Sequence, residues 1–294
     1  MSTASGLPLS GRVAVVTGAT SGIGREVALG LARQGATTVV VGRGEGRASA
    51  IAAEISRASG NPSVDSLRVD DLAVIAHARG LAGAVLERYP KVHILVNNAG
   101  GYFRRREVTT DGLERTFALN VLAPYVLTTL LSPRLTTSAP ARVVNVASEA
   151  ERSGRVDFDD LQSARTRYRG FRAYGSSKLE LIWLTREFAR RLGGTGVTVN
   201  AVHPGYVRSG FGLNNGGGTA AVMGFLSRLF ARSVERGADT VIYAASAPEL
   251  AAATGGYFYD RKPLAGTADS QDSAKAARLF GACAQLSGRP VTPA

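Results

Sequence analysis

A tyrosine and a lysine stand four residues apart in the stretch AYGSSK, at Tyr174 and Lys178. In a helix this spacing places both side chains on one face, with their Cβ atoms about 5–6 Å apart. A tyrosine that exchanges protons near neutral pH needs its pKa lowered from about 10 by roughly three units. A neighbouring ammonium favours the phenolate, so the pair predicts an acid–base catalyst in a pocket, whereas on an open surface it would be ordinary.

The stretch VVTGATSGIG places three glycines where a β-branched run gives way to a helical pattern. Glycines there allow a tight turn and let backbone N–H groups approach a pyrophosphate at the positive end of a helix. The strand–turn–helix context therefore predicts a dinucleotide site. The loop residues expected to bind it are Gly18, Thr20, Ser21, Gly22, Ile23 and Gly24.

Short β-branched runs alternate with longer amphipathic stretches along the chain. Nearly continuous apolar strands separated by helices are typical of a parallel sheet covered on both faces. Right-handed crossovers then give a single-domain α/β fold, a Rossmann-like doubly wound parallel sheet with helices on both faces. We expect this domain over residues 12–286, with a C-terminal helix at about 270–286 and flexible segments at 1–11 and 287–294.

Composition narrows the function classes. The formal net charge is +12 and comes mostly from arginines spread over the whole length, so we expect a basic surface rather than a nucleic-acid site. Cys283 is the one cysteine in the sequence, which excludes an intramolecular disulfide. We expect no metal site. We see no signal peptide and no apolar run long enough to span a bilayer, so a cytoplasmic location is predicted.

Three further motifs follow the glycine loop in order: NNAG at 97–100, LNVLAPY around Asn120, and VNVAS ending at Ser148. With Tyr174 and Lys178, they make the chain resemble the short-chain dehydrogenase/reductase family from about Arg12 to Tyr259. The resemblance implies four catalytic residues, Asn120, Ser148, Tyr174 and Lys178.

The resemblance also implies a role for each of these residues. Ser148 would hydrogen-bond the substrate oxygen, and Lys178 would bind the nicotinamide ribose. The main chain of Asn120 would hold a water that extends a proton relay from Lys178. The ammonium and the positive ring of the oxidised cofactor would together lower the pKa of Tyr174.

The second strand ends in Gly42 and Arg43, where an enzyme that prefers NAD usually has an acid. Arg43 can pair with a 2′-phosphate, so NADP is predicted as the cofactor rather than NAD. By resemblance, Asp71 and Leu72 would contact the adenine edge. Further cofactor contacts are expected from Asn98, Ala99, Gly100, Pro204, Gly205, Val207 and Ser209. His203 is interpreted as a packed structural histidine.

The segment between Ser148 and Tyr174 is long and resembles the retinol dehydrogenase-like branch of the family. Its arginines, Arg165, Arg167, Arg169 and Arg172, either line the pocket mouth or lie on an exposed basic helix. Residues 209–235 combine a glycine-rich run with an apolar stripe, which predicts a mobile lid and a bulky hydrophobic substrate. Expected substrate contacts are Tyr102, Glu149, Tyr206 and Phe211.

These features predict an NADP-dependent oxidoreductase that interconverts an alcohol and a carbonyl on a small-molecule substrate. Two alternatives stay open: a non-redox enzyme of a natural-product pathway (an epimerase, dehydratase or cyclase) and a cofactor-sensing binding protein. The intact Ser148, Tyr174 and Lys178 argue against the sensor. The resemblance also allows a homodimer or homotetramer through the long helices, unless the C-terminal helix covers that surface or the pocket.

Overall fold

Seven β-branched or aromatic runs form parallel strands of one sheet. The computed structural model describes residues 6–44, 46–206 and 233–288. The strands are β1 Val13–Thr17, β2 Thr37–Gly42, β3 Val64–Arg68, β4 Ile94–Asn97, β5 Ala141–Val146, β6 Val197–His203, β7 Tyr257–Tyr259 and the antiparallel β8 Lys262–Pro263. Their order is β3-β2-β1-β4-β5-β6-β7-β8, so the chain reverses its winding direction between β1 and β4.

Helices cover both faces of this sheet. They are α1 Gly22–Arg33, α2 Arg47–Ser59, α3 Ile75–Arg88, α4 Arg115–Thr137, α5 Gly170–Arg191, α6 Val234–Ser246 and α7 Ser273–Leu286. The side chains of β1 alternate between the two faces, as a strand requires. Val15 joins a core with α3, α4, α5 and α7, whereas Ala14 and Val16 join a second core with α1, α2 and α6. The predicted doubly wound α/β fold is therefore confirmed.

The edge strand β8 differs from the all-parallel prediction. It pairs antiparallel to β7 through Phe258–Pro263 and Tyr259–Lys262. The two residues between the strands, Asp260 and Arg261, both have positive φ, of 51° and 61°. Two consecutive positive φ values give a hairpin turn that matches the twist of its strands. A two-residue strand is too short to show a periodicity in the sequence.

The long helix α4 contains a π-turn at Ala118–Leu122. By length and composition, α4 could cross a membrane, contrary to the expectation that no run is long enough. However, 72% of the most apolar 18-residue stretch of α4 is buried inside the protein, where the helix packs against α3 and α5. Its apolar character is therefore explained by its place in the core.

The C-terminal helix α7 packs on the long helices. Phe280 lies edge-on to Tyr125 of α4 and to Phe188 of α5, with ring centroids 5.0 Å apart in both cases. Cys283 is buried beside them. Of the two positions expected for this helix, over the long helices or over the pocket, the structure has the first. The helix begins at Ser273 after a 3₁₀ turn at Asp269–Gln271, three residues later than predicted.

Two irregular segments bear on the sequence predictions. Within the N-terminal stretch expected to be flexible, Leu9 is buried and its N–H donates to the Gln34 carbonyl at 2.9 Å. The arginine-rich segment at 154–169 contains no helix, and α5 begins only at Gly170. The alternative of an exposed basic helix is therefore wrong for Arg165, Arg167 and Arg169.

Candidate active site

The glycine loop joins β1 to α1 and is held by hydrogen bonds with the NNAG stretch. The Thr17 hydroxyl accepts from the N–H groups of Asn98 and Ala99, both at 3.0 Å. The Asn98 side-chain amide donates to the Thr17 carbonyl at 2.9 Å and to that of Gly18 at 3.3 Å. The predicted cofactor residues of these two stretches thus lie together at the carboxyl end of the sheet.

Close backbone approach explains the glycines of the loop. A Cβ on Gly24 would clash with the carbonyl oxygen of Gly18 and with the Asn98 amide. Gly18 has φ 65°, and its Cβ would lie 3.0 Å from the Ala99 Cα. Side chains at these positions would force the turn apart, so the loop keeps its shape only with glycine.

The start of α1 fits the pyrophosphate of a dinucleotide. Its N-cap Ser21 makes no side-chain capping bond, and its first turn contains no acidic residue. The first N–H groups of a helix have no partner within the helix, and the helix dipole adds positive potential there. Thr20, Ser21, Gly22 and Ile23 surround this end, so backbone donors are available for a phosphate group.

The end of β2 also fits the sequence prediction. A Cβ at Gly42 would clash with the Thr20 side chain, so this position leaves no room for an acidic side chain. Arg43 follows it and is exposed. Asp71, expected at the adenine edge, pairs with Arg115 at 2.6 Å and accepts from the Ala73 N–H at 3.0 Å, and its contact with adenine stays a prediction.

Helix α5 brings the predicted catalytic residues together. The Tyr174 hydroxyl is hydrogen-bonded to Ser148, which follows β5. Lys178 is 5% exposed, and its Nζ donates to the Val146 carbonyl at 2.8 Å while lying 5.6 Å from the centre of the Tyr174 ring. Tyr174, Ser148 and Lys178 thus meet where the sheet ends, as the motif spacing predicted.

Burial shifts the pKa of both members of this pair in the protein without cofactor. Burial raises the pKa of Tyr174 to about 12, and the hydrogen bond to Ser148 offsets only part of this shift. Burial also lowers the pKa of Lys178 to about 8. Loss of water disfavours both charged forms in the protein without cofactor. The expected lowering of the Tyr174 pKa includes the positive ring of the bound oxidised cofactor, and it stays a prediction.

Asn120 lies in the π-turn of α4 and is buried. Its Oδ1 accepts from the Gly101 N–H at 2.8 Å, and its Nδ2 donates to the Gly101 carbonyl and the Ser177 hydroxyl, both at 2.9 Å. A Cβ on Gly100 would lie 3.2 Å from Asn120 Oδ1 and 3.5 Å from Lys178 Nζ. Asn120 therefore ties the loop after β4 to the catalytic helix.

The end of β6 is held by His203, which is buried and stacks on Tyr259 with ring centroids 4.8 Å apart. Its Nδ1 accepts from the N–H groups of Glu149 and Gly205, at 3.2 and 3.3 Å. This histidine thus joins the two loops that follow β5 and β6. Pro204 and Gly205 lie at this junction, and Gly205 has φ 84°.

The predicted substrate residues differ in their placement. Tyr102 lies edge-on to Tyr174, with ring centroids 6.3 Å apart. Tyr206 is 59% exposed, and Glu149 is exposed beside His203. Phe211, together with Val207, Ser209 and most of the predicted lid at 209–235, lies outside the described residues.

Sequence reasoning missed several residues that support the site. Thr17 and Ser177 bind motif residues through hydroxyl groups, but serine and threonine are too common for their types alone to mark them. Leu72, expected at the adenine edge, is buried in the core. Within the described residues, no group of acids, histidines and cysteines could hold a metal ion.

Comparison with known proteins agrees with this geometry. A family model described as short chain dehydrogenase matches residues 12–215. The chain is 41% identical over 283 residues to a Streptomyces sp. (strain C5) protein whose name gives daunorubicin C-13 ketoreductase as a provisional activity; the match covers 96% of this chain and 94% of that one. It is 38% identical to human retinol dehydrogenase 13 over 284 residues, which cover 95% of this chain and 86% of that one.

A solved structure with a bound dinucleotide also matches. The short chain dehydrogenase of Burkholderia cenocepacia in complex with NADP superimposes with a TM-score of 0.66 at 27% identity. The superposition covers 85% of this chain and 96% of that one. The similarity therefore extends over most of the described fold and includes the elements that carry the site.

Proposed function

Since the chain belongs to the short-chain dehydrogenase/reductase family, and is therefore an NAD(P)-dependent oxidoreductase of CH–OH groups, we propose that it uses NADP and acts on a bulky, largely hydrophobic alcohol or carbonyl. One observation carries the catalytic part of the proposal. The Tyr174 hydroxyl is hydrogen-bonded to Ser148 and lies beside the Lys178 ammonium. A proton donor, an oxygen-binding hydroxyl and a cation thus share one site.

The chain's own residues manage the proton and the substrate oxygen. A bound nicotinamide cofactor supplies or accepts the hydride. In the reductive direction, Ser148 donates a hydrogen bond to the carbonyl oxygen, and Tyr174 delivers its proton to that oxygen as the alcohol forms. In the oxidative direction, Tyr174 takes the proton of the alcohol. Lys178 stabilises the phenolate that each direction forms or requires.

Asn120 positions this machinery. Its side chain is fully engaged by Gly101 and Ser177, which fixes the position of Asn120 in the π-turn of α4. A fixed carbonyl there suits the expected role of holding a water that reprotonates the lysine. This assignment comes from the family resemblance and is supported by the rigid placement.

Two features at the end of β2 support NADP. Gly42 leaves no space for a side chain next to Thr20, which removes the usual acid for a ribose 2′-hydroxyl. Arg43 is exposed directly after it. Its guanidinium can bind a 2′-phosphate through two parallel hydrogen bonds.

The substrate class is supported by the names of two relatives and by two aromatic side chains at the site. One relative is named for retinol and another for daunorubicin, both large molecules with extended apolar surface. In this chain Tyr102 stands edge-on to Tyr174, so a flat apolar substrate can contact both rings. The small-molecule partner, the absence of nucleic-acid binding and a cytoplasmic location stay predictions.

The test is NADPH oxidation followed by absorbance with a panel of aldehydes, ketones and quinones. Tyr174→Phe should lose turnover by at least about 100-fold, the lower range of acid–base contributions. Its affinity for NADPH, measured by fluorescence titration, should stay within about threefold. Tyr89→Phe is the matched control, because it removes a phenol that is bonded to Asp65 away from the site.

Three outcomes would each contradict one part of the proposal. Retained turnover in Tyr174→Phe would remove the tyrosine from the mechanism. Product formation without net NADPH oxidation would instead support the non-redox alternative, an epimerase, dehydratase or cyclase. Equal use of NADH and NADPH would contradict the cofactor assignment alone.

A further inference from the structure

A second cleft lies beside the catalytic helix, on its opposite face. Its walls are the start of α5, the start of α4 and the arginine-rich segment at 154–169. The volume of the cleft is about 90 Å³. By the same measure, one water molecule needs roughly 10–15 Å³. The cleft therefore has room for a small polar molecule.

This cleft is separate from the catalytic site. Helix α5 contributes Ala173, Ser176 and Glu180 to its lining, but neither Tyr174 nor Lys178. At 3.6 residues per turn, the two sets of side chains point roughly 150° apart around the helix. A molecule in the cleft would touch the catalytic helix without entering the active site.

Glu180 forms the floor of the cleft and is 4% exposed. Within the described part of the chain, no hydrogen bond or ion pair engages its carboxyl group. Its acidic neighbour Glu114 is fully used, since its oxygens accept from the N–H groups of Thr116 and Phe117 and from the Tyr168 hydroxyl. The carboxyl group of Glu180 is therefore available to a molecule in the cleft.

Burial, together with the nearby Glu114, raises the pKa of Glu180 well above its ordinary value. This shift favours the protonated carboxyl group, which can donate a hydrogen bond into the cleft. A metal cation would need the deprotonated carboxyl group and would lie beside four guanidinium groups. The floor therefore suits an acceptor atom better than a cation.

The rim carries more arginines than acids, four against two. Arg155, Arg167, Arg169 and Arg172 line the cleft, and the latter three are exposed and form no ion pair in the described structure. The acids on the same rim are Asp157 and Asp160. Asp157 accepts from the Asp159 N–H, and Asp160 accepts from the N–H groups of Ala164 and Thr166 and from the Thr166 hydroxyl.

The segment that carries these arginines is anchored. Tyr168 lies between Arg167 and Arg169 in the sequence. Its hydroxyl is hydrogen-bonded to the Glu114 carboxylate at 3.1 Å, to the Thr116 hydroxyl at 2.9 Å and to the Phe103 carbonyl at 3.1 Å. The backbone on both sides of Tyr168 is thus tied to the start of α4. The positive rim is therefore a built feature of the fold.

We propose that this cleft is a second binding site, for a small ligand that carries carboxylate or phosphate groups. Its anionic oxygens would bind the guanidinium groups of the rim, and one acceptor oxygen would take the hydrogen bond of Glu180. Arginine suits such groups because its planar fork matches both carboxylate and phosphate. The site is independent of the substrate and of the cofactor proposed above.

Calorimetric titration of the protein with citrate and with inorganic pyrophosphate tests this site. The protein is first saturated with NADP, so that the glycine loop cannot bind the probe. We expect saturable binding of at least one probe at a single site. Binding of pyrophosphate alone would identify a phosphate-bearing ligand, and binding of citrate alone a carboxylate-bearing one.

Two variants with equal change in net charge separate the cleft from general attraction to a basic surface. Arg169→Gln combined with Arg172→Gln should weaken binding at least tenfold. Arg33→Gln combined with Arg57→Gln removes two exposed arginines on α1 and α2 and should leave affinity within about twofold. Equal losses in both double variants, or no saturable binding of either probe, would overturn the proposal.

Glu180 provides a second test. Glu180→Gln keeps a donor in the same shape and should bind within about threefold of the wild-type affinity, whereas Glu180→Leu should bind about tenfold more weakly. NADPH affinity and the unfolding midpoint of each variant show whether it is folded. Unchanged probe affinity in a folded Glu180→Leu variant would remove Glu180 from the site.

Discussion

The side chain of Asn120 donates a hydrogen bond to the Ser177 hydroxyl at 2.9 Å, and that hydroxyl donates to the Tyr174 carbonyl at 2.7 Å. These two bonds connect the π-turn of α4 to the turn of α5 that carries the catalytic tyrosine. A π-turn in a helix often marks a functional position, because it shifts the backbone locally. Here it brings Asn120 within reach of the loop after β4 and of the catalytic helix.

Ser177→Ala should therefore lower kcat about tenfold while changing the KM for NADPH by less than twofold. The substitution leaves a buried amide donor of Asn120 unpaired, which costs about 1–3 kcal/mol and loosens its placement. Steady-state kinetics measure both constants. Ser132→Ala is the matched control, since its hydroxyl also bonds back along a helix, to the Thr128 carbonyl, away from the site. Equal effects of the two substitutions would leave Ser177 with a structural role only.

Arg43→Ala should weaken NADPH binding about 10- to 100-fold and leave NADH binding within about twofold. A hydrogen bond to a charged group is worth about 1.5–3 kcal/mol, and tenfold in affinity corresponds to about 1.4 kcal/mol. Fluorescence titration with both cofactors measures the difference. Arg57→Ala removes an exposed arginine at the far end of α2 and should change neither affinity. Equal weakening of NADH and NADPH would show that Arg43 does not read the 2′-phosphate.

Gly24→Ala should destabilise the protein by about 1–3 kcal/mol and abolish tight cofactor binding, because its Cβ would clash with the Gly18 carbonyl oxygen. Gly80 on α3 offers the opposite case, since a Cβ there would meet nothing within 4 Å. Gly80→Ala should stabilise the protein by about 0.5–1 kcal/mol through helix propensity. Urea unfolding measures both changes. A tolerated Gly24→Ala would mean that the loop can open.

The free energy of unfolding should fall as the pH drops from about 6.5 to 4. Burial, with Arg12 and Lys91 nearby, lowers the pKa of His93 to about 4, and its Nδ1 accepts from the Val13 N–H at 3.0 Å. Between these pH values His93 is protonated in the unfolded chain but largely neutral in the folded chain, so acid favours unfolding. This group alone lowers the free energy of unfolding by about 3 kcal/mol at pH 4.

Urea unfolding at several pH values, with His93→Gln for comparison, isolates this contribution. Glutamine can accept the Val13 N–H without titrating, and the carboxyl groups of the protein contribute equally to both forms. The variant should therefore lose less stability between pH 6.5 and 4. Parallel pH profiles would assign the acid sensitivity to other groups.

The sequence was sufficient for features whose signal is local. The glycine loop and the Tyr174–Lys178 pair can each be recognised from a few neighbouring residues. Each strand can be recognised from a single apolar run. Tyr168 depends instead on Glu114, 54 residues earlier, and nothing in either neighbourhood indicates the contact. The raised pKa of Tyr174 in the protein without cofactor could not be read from the sequence, because desolvation depends on packing from several elements.

The arginine-rich segment illustrates the same limit. Its composition allowed either a pocket mouth or an exposed helix, and the structure gives an irregular segment that lines a different cleft. The cleft also includes Glu180, whose burial follows from the packing of α4, α5 and the segment together.

The position of α7 has a consequence for how the protein is made. The ring of Phe280 completes an aromatic cluster with Tyr125 and Phe188, yet the ribosome releases α4 and α5 well before α7. At about 5–20 residues per second, the growing chain displays this uncovered aromatic face for seconds. The nascent protein is thus most open to chaperone capture, and to sticking to other nascent chains, just before its final helix emerges.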